Sequence, residues 1–575
     1  MMGTISDKLM RIINTKEDIR QALISKGYDV PTSIPFKEYA KMISDLPCRV
    51  DSFPDIEGIV ARYSALGLTN EQMAANPVWV DKTGNGHDLQ MKNFAWKEGS
   101  GISDIYPGAL VFDGVDDYGA CDNFPILTKE KGYTVVALRQ WISMGEGVSG
   151  LVSNVKNWFN DGAFVLEYNS NNATNKFVNR PVSFGNVNIE MDLPNNFTYQ
   201  TSKSYKGVPI TTGSFKGTNS LFVGKLNNII GNCSNVAIWE LVFLDHDATE
   251  EELTKIKDYF VKTYPWLFPD QAWTVTGKTN EDEDRATIAN ITGNGNDLVL
   301  SNFGFAEGSG YGLYAYNFNS FNLKDNVVKP TDVKKDSFRI IGTGDNSNVL
   351  VLSNTSNSAD WKIRITGMKE GDRCLIGNAN KSGEYISVNK DGTYTFQKQY
   401  AATSTNGIWY NSSQEVDVLV EQIPEYEGYL ITDGVDDKVE SSPFTLNKDW
   451  TIVGNWTMLS NIPSNCGIIK VSSMFLYNSL DGVTIYFAGG PIKIQSKSIN
   501  AFCSDRRIYL NDWTEILKPD AQIASGGSKS SLNIASYSAN FTKMAFKNLA
   551  IYDGKNLSKD ECIKAYNYLQ TLKAK

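Results

Sequence analysis

Histidine is nearly absent from this chain, with two in 575 residues, His87 and His246. Neither sits beside a G-x-S-x-G or a cysteine motif, and no H-E-x-x-H, P-loop or paired C-x-x-C occurs. Histidine-based acid–base, nucleophilic and zinc chemistry therefore have little to work with. Each histidine reads as a surface-turn residue. The seven cysteines (Cys48, Cys121, Cys233, Cys374, Cys466, Cys503 and Cys562) are odd in number and widely spaced. That pattern implies inert, mostly buried thiols rather than a disulfide framework or a zinc ribbon. No run reaches the roughly 18 apolar residues of a membrane span. The opening MMGTISDKLMRIINTKEDIR lacks the uninterrupted apolar core of a secretory signal, which implies folding in a reducing cytoplasm. Positive charge is also short. Lys and Arg total 55 against 65 Asp and Glu, for a net charge of −10, and a nucleic-acid partner would want a basic face.

What is present is core-forming material: 41% hydrophobic and 21% charged residues. At roughly 100–200 residues per domain this predicts about three or four folded units. Residues 1–47 are the one strongly helical stretch. Leu9, Ile12 and Ile13 recur at helical spacing, as do Ile19, Ala22 and Leu23, and Thr15 with Asp18 resembles a capping box. A third helix follows Pro35. Three short helices cannot bury the apolar faces at Leu9, Ile12, Ile13, Ile19 and Leu23 among themselves. They either cap the next domain or dock on a partner.

After Pro47, β-rich runs alternate with Gly, Asn, Asp and Ser turns, the all-β texture. An internal repeat organises them. TGNGHDLQMKNFAWKEGSG begins at Thr83 and TGNGNDLVLSNFGFAEGSG at Thr292, an offset of 209. DGVDD occurs at Asp113–Asp117 and Asp433–Asp437, an offset of 320, and VAIWELVFLD at Val236 pairs with MAFKNLAIYD at Met544, an offset of 308. The jump between offsets locates an insertion inside the second copy. The predicted units are 51–266, then 267–575 with a β insert at 318–424. Asn389–Gly392 reads as a hairpin turn within that insert. Each copy closes with an apolar strand and a capped helix. Leu253, Ile256, Tyr259 and Phe260 form the apolar face of the first helix, with Thr249 and Glu252 as its cap. Cys562, Ile563, Tyr566 and Leu569 are the corresponding face of the second.

The pattern TGNGxDL, then FDGVDDY, then a closing strand and helix, resembles the laminin-G-like/concanavalin A-like jelly roll. The second copy departs from it with Thr432 in place of Phe and Lys438 in place of Tyr. The resemblance implies a mainly β fold of two jelly-roll sandwiches, the second interrupted by a small β-sandwich insert, behind a short all-α N-terminal segment. The N-terminal I-x-N-T-K-E-D-I-R-x-A-L-I-x-K-G-x-D-V-P is similar to short helical modules in head and tail appendage proteins of phages infecting gut Bacteroidales, crAss-like phages among them. Together the two resemblances imply a virion protein.

Three constellations could carry chemistry. Glu415, Asp417 and Glu421 approach the one-strand carboxylate pattern of retaining glycoside hydrolases, but as E-x-D-x-x-x-E. Six strand residues span about 20 Å, whereas glycosidase carboxyls stand about 5–9.5 Å apart. An alternating strand with a solvated acidic face fits better. Asp113, Asp116 and Asp117, with Asp433, Asp436 and Asp437, offer clustered oxygens of the kind Ca²⁺ accepts, although ordinary turn chemistry also explains them. Tyr311, Tyr314, Tyr316, Phe318 and Phe321 either cover the join to the insert or form a binding face. The expectation is a non-enzymatic structural and adhesive phage protein of head- or tail-fibre type. Residues 1–47 would attach it to other virion proteins as a symmetric homo-oligomer, by analogy a trimer. Its jelly rolls would bind host-surface glycans, with no nucleic-acid or membrane partner. A secreted or surface carbohydrate-binding protein is the alternative, and a glycan hydrolase a third.

Overall fold

The computed structural model describes residues 53–574, apart from a set of connecting segments and isolated positions, together with residues 16, 17, 19, 20 and 35. Leu9, Ile12, Ile13 and Leu23 lie outside the described residues. Ile19 falls in a helical turn beside Glu17 and Arg20, which pair at 2.8 Å.

The protein is mainly β. Its first copy is a sandwich of two eight-stranded antiparallel sheets. The long strands Thr134–Ser143 and Asn235–Leu244 lie side by side at the centre of one sheet. Nearly every residue of both is buried, on both faces. That requires cover on each side, which is why VAIWELVFL reads as a continuous apolar run rather than an alternation. One side faces the core between the sheets. The other faces a helical layer. In the second sheet Leu89–Lys92 alternates buried and exposed residues, the signature of one solvated face.

The second copy repeats the scheme. Its central pair is Trp450–Met458 and Met544–Asp553, again within eight strands, against another eight-stranded sheet. Each copy has a short first strand on its closing strand: Ile59–Ser64 on Asn235–Leu244, and Gln271–Thr274 on Met544–Asp553.

Three helices within residues 53–574 matter here: α1 (Asn70–Ala75), α2 (Glu250–Thr263) and α3 (Lys559–Gln570). Complete capping boxes open α2 (Thr249 with Glu252) and α3 (Ser558 with Glu561). The predicted apolar face of α2 is the buried one. The face of α3 is rotated from expectation: Cys562, Ala565, Tyr568 and Leu569 are buried, while Ile563 and Tyr566 are only half-buried. The reason is the neighbour. Tyr568 reaches into the seam between the sandwiches, where its hydroxyl accepts from Asn196 Nδ2 at 3.1 Å.

The two sandwiches meet through these helices. A single apolar cluster joins Val242, Tyr259 and Trp266 of the first copy to Val453, Tyr552 and Leu569 of the second. Gln140 donates to Thr571 across the seam at 3.0 Å, and Tyr552 donates to the carbonyl of Trp266 at 2.8 Å. None of the described helices is long and apolar enough to cross a membrane.

The insert has two five-stranded sheets and its own core. The hairpin expected at Asn389–Gly392 is not formed. Tyr385–Val388 pairs with Arg373–Asn378 in one sheet, and Gly392–Phe396 pairs with Trp361–Thr366 in the other. The turn carries the chain over the sandwich edge, where Asp391 accepts the Met368 amide at 2.8 Å. Turn residues specify a reversal and leave open which strand comes next to which.

Candidate functional site

The two DGVDD turns are geometric duplicates. In each, the first aspartate's Oδ1 accepts the amide two residues on at 2.7 Å, from Val115 to Asp113 and from Val435 to Asp433. Asp113 Oδ1 also lies 3.2 Å from the Asp116 amide, and Asp433 Oδ1 3.3 Å from that of Asp436. The last aspartate answers: Asp117 Oδ2 accepts the Asp113 amide at 3.1 Å, and Asp437 Oδ2 accepts that of Asp433 at 2.8 Å. Ser309 adds a hydroxyl on Asp437 Oδ1 at 2.9 Å. Asp117 and Asp437 are fully buried, and burial pushes each carboxyl up to about 6. Val115 and Val435 sit at the turn apices, 77% and 70% exposed.

One oxygen from each acidic cluster residue comes within 4.8 Å of the others. Calcium wants six to eight oxygens, roughly. In the second turn both Asp437 oxygens are committed to amide and hydroxyl donors, whereas in the first the buried Asp117 Oδ1 has no hydrogen-bond partner among the described residues, and Asp116 and Asp436 stand exposed at the turn surface. Turn closure accounts for most of these contacts, and three carboxylates supply only part of the roughly six to eight oxygens that calcium takes.

The other predicted candidates separate. Glu415, Asp417 and Glu421 lie on the outward face of a strand whose Val416, Val418 and Val420 are buried, and Arg339 pairs with Asp417 at 2.9 Å. Tyr311 packs in the second sandwich's core and Phe318 in the insert's core. Tyr311 and Phe318 thus stand on the two sides of the join. Tyr314, Tyr316 and Phe321 lie outside the described residues. His87 is half-buried against Phe124 with its ring 5.8 Å away, deeper than a surface turn residue. His246 does lie in its turn, between Asp245 and Glu252.

The sequence reading missed a cleft of about 370 Å³ where the sandwiches meet. It lies between α2, the linker following it, the second TGNG turn and α3. Lys257 comes from α2, Phe268 and Asp270 from the linker, Asn294 from the turn and Lys555 from the approach to α3. Burial pushes the Lys555 ammonium below its ordinary value, against the pull of Asp270 and Asp553. Burial raises Asp270, whose Oδ2 accepts the Asp553 amide at 2.8 Å. These residues span more than half the chain, so no local motif signals them. The offset analysis could only mark the linker as a boundary.

No family model matches the chain, and no curated protein matches it. Among solved structures, it is similar to Trypanosoma rangeli sialidase in complex with sialic acid at 13% identity, over 36% of this chain and 34% of that chain, with a TM-score of 0.26. It spans only about a third of that sialidase. It is also similar to botulinum neurotoxin type C, whose cell entry is dependent upon interaction with two ganglioside molecules, at 12% identity, over 62% of this chain and 98% of that one, with a TM-score of 0.25. TM-scores this low carry no argument about function.

Proposed function

We propose that this is a non-catalytic adhesive protein of a phage particle. Residues 1–47 attach it to other virion proteins, and the paired sandwiches present a saccharide-binding surface to the host. It assembles as a symmetric homo-oligomer, a trimer by analogy with phage appendages. The observation that supports this reading is the fused junction. A continuous apolar cluster and cross-seam hydrogen bonds join the two sandwiches into one body, an arrangement suited to display rather than to opening and closing on a substrate.

Deleting residues 1–47 tests the anchoring role. Particles are expected to lose the protein, and incorporation of a folded truncated chain at normal copy number overturns it. Incubation with host surface polysaccharide tests the non-catalytic role. Polymer size is expected to stay constant, and turnover abolished by Glu415→Ala or Glu421→Ala overturns it.

A further inference from the structure

Cys121, Cys233, Cys374, Cys503 and Cys562 are free and buried. Burial pushes the Cys374 thiol up to about 12 and raises Cys121 and Cys233 as well. Cys503 and Cys562 behave differently because they meet. Cys503 ends the strand Ile499–Cys503, and Cys562 lies near the start of α3. Each Sγ is 3.9 Å from the same acceptor, the Leu557 carbonyl oxygen. The two thiols are also within hydrogen-bonding reach of each other. Both belong to the apolar cluster at the junction.

The first sandwich has no such pair. Thr134 lies opposite Leu244 and Thr201 there, and Thr451 lies opposite Tyr552 and Cys503 in the second. Thr201 therefore holds the place of Cys503. Leu253, four residues after the Thr249 cap of α2, holds the place of Cys562, four after Ser558. One buried cysteine packs as a small hydrophobe. Two in contact supply the parts of a disulfide, and their surroundings divide the roles. The hydrogen bond from Cys562 lowers the Cys503 thiol against burial, helped by the Thr451 hydroxyl, 3.5 Å from the sulfur, and by the Arg507 guanidinium. Cys562 is raised in return. One sulfur is thus prepared to attack while the other is held as a thiol.

We propose that Cys503 and Cys562 form an oxidative cross-linking site, which closes a disulfide when the folded chain meets a peroxide and ties α3 to the sheet of the second sandwich. The Cys503 thiolate attacks a peroxide oxygen. An S–O bond forms, the O–O bond breaks and, with hydrogen peroxide, hydroxide leaves. Sulfur gives up an electron pair and the peroxide takes it. The Cys562 sulfur then attacks that of Cys503. The S–S bond forms, the S–O bond breaks, and water leaves with the Cys562 proton. The proton released earlier by Cys503 neutralises the hydroxide. Both sulfurs are buried, so the oxidant enters when the start of α3 opens locally. The bond draws the contact in to about 2.05 Å. It tethers the helix whose Tyr568 and Leu569 pack in the junction cluster. None of this depends on the adhesive reading above.

The test adds hydrogen peroxide to the reduced, folded full chain, alkylates the remaining thiols in denaturant and maps the digest by mass spectrometry. A peptide pair linked through Cys503 and Cys562 is expected, and dithiothreitol should separate it. The melting temperature of the oxidised chain should rise by several degrees, and the α3 amides should exchange about tenfold more slowly. Cys562→Ser should remove both gains and leave Cys503 as a sulfenic acid that dimedone captures. Equal alkylation of both cysteines with and without peroxide overturns the proposal, as does their linkage to Cys48 or Cys466 instead. A linked pair with melting temperature and α3 exchange unchanged overturns the tether. Should Cys562→Ser not fold, the map of the unaltered chain decides alone.

Discussion

At one equivalent position the two sandwich cores hold an arginine and a tryptophan. In the first copy Arg139 lies opposite Ile238 of the closing strand, and in the second Trp456 lies opposite Phe546, which is 308 residues further on. Arg139 donates to Glu167 from Nε at 2.7 Å, and Trp141, Thr198 and Tyr205 also donate to that carboxylate at 2.6–2.7 Å. Burial alone would raise Glu167, yet the arginine and the hydroxyl donors bring it down to about 2. Glu167 holds φ of 50° to meet them, a backbone strain the network must outweigh. The second core fills the same place with an indole, 2% exposed, whose Nε1 finds no partner among the described residues. One copy thus secures its sheets by charge pairing of defined geometry, the other by volume. A similar divergence occurs on the junction face, where Glu240 pairs with Arg62 at 3.1 Å and its counterpart Asn548 donates to the Leu569 carbonyl at 3.2 Å.

The largest expected effect tests the charged core. Arg139→Met leaves Glu167 buried without its cation, at a loss of about 3–5 kcal/mol. Amide exchange should accelerate first in Val165–Asn169 and Phe197–Thr201. Unchanged protection there would mean that the network is incidental.

The apolar core should be more forgiving. Trp456→Phe removes volume but also an unpaired N–H, so about 1–2 kcal/mol is expected. Exchange in the adjoining strand Ile499–Cys503 reports it. A cost above that of Arg139→Met would reverse the comparison.

Smaller again is the pH response of the duplicated turns. Asp117 and Asp437 titrate near 6 when folded, against about 3.9 unfolded. The folded state keeps protons that the unfolded chain has released, so their contribution is full below about pH 4 and fades as pH rises through 6. Between pH 4.5 and 6.5 the melting temperature of the Asp117→Asn/Asp437→Asn double variant should fall less than that of the wild type. The difference corresponds to on the order of 1–2 kcal/mol per turn. Parallel pH profiles would show that the turns do not hold their protons. Calcium is expected to do least: millimolar addition or chelation should leave the melting temperature unchanged, and a rise of several degrees would show that the acidic turns are a metal site.

How much of this was legible in the sequence follows from range. The α2 face and the Thr249 cap are settled within one helix, and the spacing showed both. The α3 face depends on a seam partner, Asn196, far away in the chain, and the spacing misplaced it by part of a turn. Arg139 and Glu167 are 28 residues apart on different sheets, and nothing local marks either as buried. The junction cleft needs residues from Lys257 to Lys555 and was invisible for the same reason. The Asn389–Gly392 turn was seen, but its topology was not.

The insert leaves the second sandwich after Gly310–Tyr311 and returns before Leu430–Ile431, and these two short strands pair directly, with Tyr311 opposite Leu430. The Gly312 amide donates to the Tyr429 carbonyl at 2.8 Å, closing the gap just beyond them. The insert's two ends therefore emerge a strand's width apart, about 4.8 Å. A different domain with adjacent termini could be exchanged at this point while the host sheet keeps its register, so the second sandwich offers a socket for interchangeable cargo.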